Sequence, residues 1–158
     1  MRVLTSLVTI ALCLTSPAMA DFNVGNFRVS IEKDPFGDAD KYIAITVQKG
    51  STLAVRCLNG ELNLSFFVSS RAREGEEAEV KLRLDEGRIE TFDGGVVGSN
   101  LYGAAIQAGD GRFIAKMATA KQLAMKYSIK GVGSTYTFDL RGIDKVVAGA
   151  RKACRYDG

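Results

Sequence analysis

The chain of 158 residues has no histidine and no tryptophan, and it has only three cysteines and two prolines. Histidine is the commonest general base and a usual zinc ligand, so its absence removes Ser–His and Cys–His nucleophile pairs and typical zinc sites. The sequence also lacks a Gly-x-Ser-x-Gly element, a phosphate-binding loop and a dinucleotide fingerprint. Paired carboxylates are the catalytic device that this composition leaves open. We expect a protein without catalytic activity, cofactor or metal.

The N-terminus has the pattern of a secretory signal peptide. Arg2 gives it a positive start, Val3 to Leu14 form an apolar run, and Ala18-Met19-Ala20 after Pro17 matches the small-x-small cleavage pattern. The apolar run is shorter than the ~20 residues that a membrane-spanning helix needs. We therefore expect a signal peptide over residues 1–20, a mature chain in a bacterial periplasm or outside the cell, and no stable membrane insertion after cleavage.

The cysteines predict one disulfide. Cys13 is removed with the signal peptide, which leaves Cys57 and Cys154 as an isolated pair in an oxidising compartment. A redox-active pair is normally close in sequence, as in Cys-x-x-Cys, and these two are far apart. We therefore interpret Cys57 and Cys154 as a structural bond that closes most of the domain into one loop.

The remaining segment, residues 21–158, has the length of a single domain with its own core. It carries 20 basic and 18 acidic residues, which is a net charge of +2. Acidic and basic residues are interspersed, and no block of Lys and Arg alternates with aromatic residues. We expect no nucleic-acid partner.

A β-hairpin around Asn59-Gly60 is the clearest local prediction, because this dipeptide favours the two positive φ angles of a type I′ turn. A two-residue loop fixes the register of the strands on either side. It places Arg56 opposite Asn63 on one face, and on the other face it pairs Cys57 with Leu62, Val55 with Leu64 and Leu53 with Phe66.

Alternating apolar residues predict further strands. Phe22–Ile31 is predicted to be the first. Tyr42–Val47 is the next, with Ile43, Ile45 and Val47 on the apolar face and a three-residue link, Lys49-Gly50-Ser51, to the hairpin. Residues 78–84 and the residues after Glu86-Gly87 are predicted to pair with Leu84 opposite Ile89 and Arg83 opposite Glu90, and additional strands are predicted over residues 96–106, 123–129 and 136–140.

Two helices are predicted among these strands. Arg112–Ala118 is short, with Phe113, Ile114 and Met117 on one side. The C-terminal helix begins near Asp144, and its apolar stripe of Ile143, Val147, Ala150 and Cys154 directs the second cysteine toward the sheet. The fold class is therefore mainly β (α+β), an antiparallel β-sandwich or half-open barrel with a C-terminal helix and one disulfide.

Two groups of charged residues are candidates for binding. Asp34, Asp38 and Asp40 lie in a Pro- and Gly-containing loop, which is interpreted either as a ligand or calcium site or as a solvated loop. Arg56 is interpreted either as an ordinary strand arginine or as the anchor for an anionic partner, with Asp34 or Asp38 nearby.

The chain resembles the VasI/TagO-like periplasmic proteins, a family associated with type VI secretion clusters. The resemblance rests on Phe27-Arg28-Val29, the loop from Asp34 to Asp40, the segment from Leu53 to Gly60 and the segment from Phe138 to Ile143 before a helix ending in Cys154. It implies an exported accessory or binding protein with an envelope protein as its partner.

Two other functions are compatible with the sequence. One is a secreted inhibitor of a cell-wall hydrolase such as lysozyme, with the charged loop Arg71–Glu77 inserted into the enzyme's cleft. The other is a carrier that holds a small apolar ligand inside a half-open barrel.

Overall fold

The computed structural model describes residues 19–33 and 40–155. The strands are β1 (Met19–Val24), β2 (Phe27–Glu32), β3 (Lys41–Gln48), β4 (Ser51–Leu58), β5 (Glu61–Val68), β6 (Glu77–Leu84), β7 (Glu90–Asn100), β8 (Gly103–Gln107), β9 (Gln122–Ser128) and β10 (Thr135–Asp139), and the helices are α1 (Gly111–Met117) and α2 (Ile143–Cys154). The ten described strands form one antiparallel sheet in the order β1-β2-β3-β4-β5-β8-β7-β6-β9-β10. This half-barrel with a C-terminal helix confirms the predicted fold class. Of the predicted signal peptide, all but Met19 and Ala20 lie outside the described residues.

The sheet curls until its last strand meets the turns of its first strands. The backbone N–H of Asn26 donates to the carbonyl of Arg141 at 3.0 Å. The side-chain amide of Gln48 donates to the Asp139 carbonyl at 2.9 Å and accepts from the Asp139 N–H at 2.8 Å. The Gln48 side chain therefore satisfies the backbone of Asp139 in the way that a neighbouring strand would.

The predicted β4–β5 hairpin is confirmed in every pair. Cys57 lies opposite Leu62, and Arg56 lies opposite Asn63 on the other face. Asn59 and Gly60 have φ angles of 53° and 77°, as the type I′ turn requires. The inner face of this hairpin and the buried sides of both helices belong to one hydrophobic core, in which the rings of Phe66 and Phe138 are 6.2 Å apart.

The predicted disulfide is present between Cys57 on β4 and Cys154 in the last turn of α2. The two Cα atoms are 5.5 Å apart and 97 residues separate them in sequence. The buried residues of α2 are Ile143, Val146, Val147, Ala150, Ala153 and Cys154. These positions confirm the predicted apolar stripe and fix the helix to the inner face of the sheet.

The predicted register of β3 is wrong by one residue. The link to β4 contains two residues, Lys49 and Gly50, because both take positive φ angles of 49° and 77° and close a tight turn. Tyr42, Ala44 and Thr46 therefore face the core opposite Cys57, Val55 and Leu53. Ile43, Ile45 and Val47 lie on the outer face of the sheet.

Two predicted single strands are hairpins. Phe22–Ile31 is divided into β1 and β2 by a turn at Gly25 and Asn26, and residues 96–106 are divided into β7 and β8 by a turn at Leu101 and Tyr102. The side-chain oxygen of Asn100 accepts the backbone N–H of Tyr102 at 2.8 Å and that of Gly103 at 3.1 Å. The second turn is stabilised by this side chain.

The predicted pairing after Glu86-Gly87 is also wrong by one residue. Leu82 lies opposite Glu90, so Arg83 has no partner on β7. Glu90 instead accepts a hydrogen bond from Lys116 of α1 at 2.9 Å. The Glu90 carboxylate therefore lies on the helix side of the sheet, away from Arg83.

Tyr42 gives the core a measurable pH dependence. Its ring packs on α2 where a side chain at Gly149 would lie only 2.8 Å away, and burial raises the pKa of Tyr42 from 10.0 to about 12. Because the folded pKa is higher, the neutral tyrosine stabilises the fold fully below pH 10, and this contribution is lost as the pH rises toward 12. Between pH 9 and 11.5 we expect the free energy of unfolding, measured with urea, to fall by about 2 kcal/mol less in Tyr42→Phe than in the native chain. Equal losses of unfolding free energy in the variant and the native chain would contradict a raised pKa of Tyr42.

Candidate binding face around Arg56

The outer face of β3, β4 and β5 carries the candidate site, and we call it the Arg56 face. Arg56 lies at its centre, between Ile43 on β3 and Asn63 on β5. This placement follows from alternation, because Cys57 and Val55 on either side of Arg56 face the core. The members of the face are Ile43, Ile45, Val47, Ala54, Arg56, Asn63 and Ser65.

Arg56 is a half-buried cation without a matching anion. Its Nε donates to the side-chain oxygen of Asn63 at 3.0 Å. No carboxylate within residues 19–33 and 40–155 forms an ion pair with it. Burial lowers the pKa of the Arg56 guanidinium below its ordinary value, yet an arginine remains protonated in proteins. The site therefore presents a fixed and partly desolvated positive charge.

Two polar side chains beside Arg56 are buried although they lie on the outer face. Asn63 is 9% exposed and Ser65 is 6% exposed. Ser65 lies two residues from Asn63 on the same face of β5 and opposite the small side chain of Ala54. Its hydroxyl oxygen is the buried side-chain polar atom that has no hydrogen-bond partner among the described residues. A buried hydroxyl without a hydrogen-bond partner is unfavourable for the fold.

Apolar residues of β3 extend the face on one side. Ile43 and Ile45 are half-buried, and Val47 is 67% exposed. Three β-branched residues on a solvent-facing side are unusual where the core-facing side of the same strand carries Ala44 and Thr46. The combination of an apolar strip and a central arginine is typical of a protein-binding surface.

Most of the acidic loop that was predicted as a ligand or calcium site lies outside the described residues, including both aspartates that were predicted near Arg56. Asp34 and Asp38 lie outside the described residues. Asp40 precedes β3 and accepts a hydrogen bond from Lys33 at 2.6 Å. Across the described ranges there is no group of three or more His, Cys, Asp or Glu side chains that could hold a metal ion.

The charged loop Arg71–Glu77, predicted to enter an enzyme cleft, is attached to the opposite half of the sheet. The N–H of Gly75 donates to the Val96 carbonyl at 2.9 Å, and Lys130 donates to the Glu76 carboxylate at 2.7 Å. The Lys130 hydrogen bond is the main reason that the pKa of Glu76 is lowered. No described hydrogen bond joins this loop to Arg56.

Sequence reasoning identified Arg56 but missed Ser65 and the outward strip of β3. The signal for the strip was Lys49-Gly50, which closes a two-residue hairpin turn as Asn59-Gly60 does. Nothing in the sequence distinguishes Ser65 from the other polar residues of the predicted strands. No helix in the described part of the chain is long and apolar enough to cross a membrane.

No family model matches this sequence, and no curated protein matches it. Among solved structures, the crystal structure of invasion associated protein B from Bartonella henselae is similar, with a TM-score of 0.57 and 13% sequence identity. The match covers 84% of this chain and 96% of that chain. At this identity the similarity concerns the fold alone.

Proposed function

We propose that this chain is an exported, non-catalytic binding protein whose Arg56 face docks an acidic group of an envelope protein. The observation that supports the proposal is the half-buried guanidinium of Arg56, which has no carboxylate partner in the described chain. A partly desolvated charge is costly until an opposite charge meets it. A carboxylate on the partner would supply that charge.

The remaining groups of the face support the same partner chemistry. Asn63 holds Arg56 through Nε, so the terminal nitrogens of the guanidinium stay available for a carboxylate. Ile43, Ile45 and Val47 add apolar area that a protein partner would bury. An acidic side chain flanked by apolar residues would complement both features.

Export and a type VI secretion partner are part of the same proposal. Export is supported by the signal-peptide pattern and by a disulfide between distant cysteines, which is typical of oxidising compartments. Association with a type VI secretion apparatus is a prediction from the resemblance of the sequence to the VasI/TagO-like proteins. Recovery of a component of that apparatus as the partner would support it.

The test compares partner binding by Arg56→Gln and by the native mature chain. The mature chain is used to capture proteins from a periplasmic extract, the captured protein is identified by mass spectrometry, and its affinity is then measured with purified components. We expect Arg56→Gln to weaken binding at least tenfold, because removing one member of a buried charge pair costs about 2 kcal/mol or more.

Arg88→Gln is the matched control, because Arg88 is an exposed arginine outside the Arg56 face. It removes the same charge and should leave the affinity unchanged. The melting temperatures of both variants identify any loss of folding. Unchanged binding by a folded Arg56→Gln variant would refute the proposal.

A further inference from the structure

A second cleft lies on the outer face of the other half of the sheet, where β6 and β9 pair, and we call it the β6–β9 cleft. Its volume is about 270 Å³. Three cations surround an apolar floor. The side chains that line it include Lys81, Arg83, Ile89, Ala124, Lys126 and Thr135.

The register brings two of these cations directly opposite each other. Lys81 of β6 pairs with Lys126 of β9, and like charges at directly opposed positions destabilise a sheet. Lys81 forms an ion pair with Glu79 at 2.9 Å. Lys126 has no ion-pair partner in the described chain. One positive charge of the pair is therefore uncompensated.

Arg83 adds a second uncompensated charge. It lies opposite Ala124 on β9 and beyond the end of the β6–β7 pairing. Glu90, which the sequence predicts as its partner, accepts a hydrogen bond from Lys116 on the helix side of the sheet. Within the described ranges Arg83 forms no ion pair. Two free cations thus share one small cleft.

The cleft also has an apolar component. Ala124 lies between Arg83 and Thr137 across the strands and leaves room above the sheet. Ile89 contributes a wall and is 56% exposed. Thr135, opposite Lys126, offers a hydroxyl donor at the rim. A ligand that fits must combine an anionic group with an apolar one.

We propose that the β6–β9 cleft binds a phosphate monoester that carries an apolar substituent. Two uncompensated cations and a hydroxyl match the charge of nearly two and the three acceptor oxygens of a phosphate monoester better than the single charge of a carboxylate. The substituent lies over Ala124 and against Ile89. This site is separate from the Arg56 face, so its failure would leave the proposed function standing.

The test measures binding of phenyl phosphate to the mature chain by calorimetry at low ionic strength. We expect phenyl phosphate to bind at least tenfold more tightly than inorganic phosphate, which lacks the ring, and than benzoate, which lacks the second charge. The double variant Arg83→Gln/Lys126→Gln should lose at least tenfold in affinity. The control Lys145→Gln removes an exposed lysine of α2 and should bind as the native chain does.

Flotation with vesicles that contain phosphatidic acid, a lipid whose headgroup is a phosphate monoester, distinguishes the two sources of such a phosphate. Flotation that the double variant loses would support the cleft with a lipid headgroup as its ligand, and phenyl phosphate binding without flotation would support it with a free ester. Equal affinity of the double variant and the native chain for phenyl phosphate, or equal affinity of the native chain for phenyl phosphate and benzoate, would overturn the proposal.

A stability measurement tests the repulsion on which the proposal rests. Lys126→Gln without ligand should raise the melting temperature by about 1 to 3 °C at low salt, because it removes the like-charge pair. The rise should shrink at high salt as the charges are screened. A lower melting temperature at low salt would overturn the proposal.

Discussion

Replacing both Cys57 and Cys154 with alanine is expected to lower the free energy of unfolding by about 4 to 5 kcal/mol. The bond closes a loop of 97 residues, so its loss frees most of the unfolded chain. Single domains are stable by only about 5 to 15 kcal/mol in total. The double variant should therefore be close to unfolding at physiological temperature, and the end of α2 should be the first part to detach.

Urea unfolding followed by circular dichroism measures this loss. The native chain under reducing conditions is the matched control, because it lacks the bond but retains both side chains. We expect the reduced chain and the double variant to differ little. A loss below about 1 kcal/mol in both would contradict a stabilising role of the bond.

Gly25→Ala is expected to destabilise the fold by about 3 kcal/mol or more, through overpacking added to backbone strain. Gly25 lies in the β1–β2 turn with a φ of +57°, and a Cβ there would overlap the carbonyl group of Arg141. The same carbonyl accepts the Asn26 N–H that closes the sheet. The methyl group would separate β1 and β2 from the segment between β10 and α2.

Gly60→Ala separates the overlap from the strain. Gly60 also has a positive φ, of +77°, but no atom lies within 4 Å of where its Cβ would be. We expect this control to cost about 1 kcal/mol, the usual cost of alanine in the left-handed region. Both variants are compared by thermal unfolding. Equal losses of stability in Gly25→Ala and Gly60→Ala would mean that the β1–β2 turn does not pack against Arg141.

Local signals predicted the parts of the fold that short-range chemistry determines. Asn59-Gly60 alone fixed the β4–β5 register, because a type I′ turn permits only one pairing. The short helix predicted over Arg112–Ala118 is α1, and the side chain of Asp110 caps its start by accepting the Phe113 N–H at 2.8 Å. The alternation of apolar residues over residues 123–129 correctly predicted strand β9.

Parts of the fold that depend on packing were not predictable in this way. Hydrophobicity favours Ile43 and Ile45 as the buried residues of β3, but Tyr42 is buried there because α2 offers Gly149 as a surface for its ring. That contact joins residues far apart in sequence. Because the predicted register of β3 placed Ile43, Ile45 and Val47 in the core, the sequence predicted Arg56 as a binding residue but not the apolar strip beside it.

The β6–β9 cleft was not predicted, because the predicted register of β6 and β7 was also wrong by one residue. Opposite charges at Arg83 and Glu90 favour a pairing that the structure does not have. Lys116 of α1 instead donates a hydrogen bond to Glu90. Cross-strand charge pairs contribute too little free energy to determine a register against core packing. Arg83 therefore lacks the partner that the predicted pairing gave it, and it lines the β6–β9 cleft as an uncompensated cation.

Trapping of thiols in living cells tests the central proposal, that this chain is exported and that its disulfide forms outside the cytoplasm. Cells that express the full chain are quenched with acid, free thiols are alkylated, and the intact protein is analysed by mass spectrometry. We expect a chain that begins at Asp21 and in which Cys57 and Cys154 are alkylated only after reduction. A chain that retains residues 1–20 and has both cysteines alkylated without reduction would contradict it.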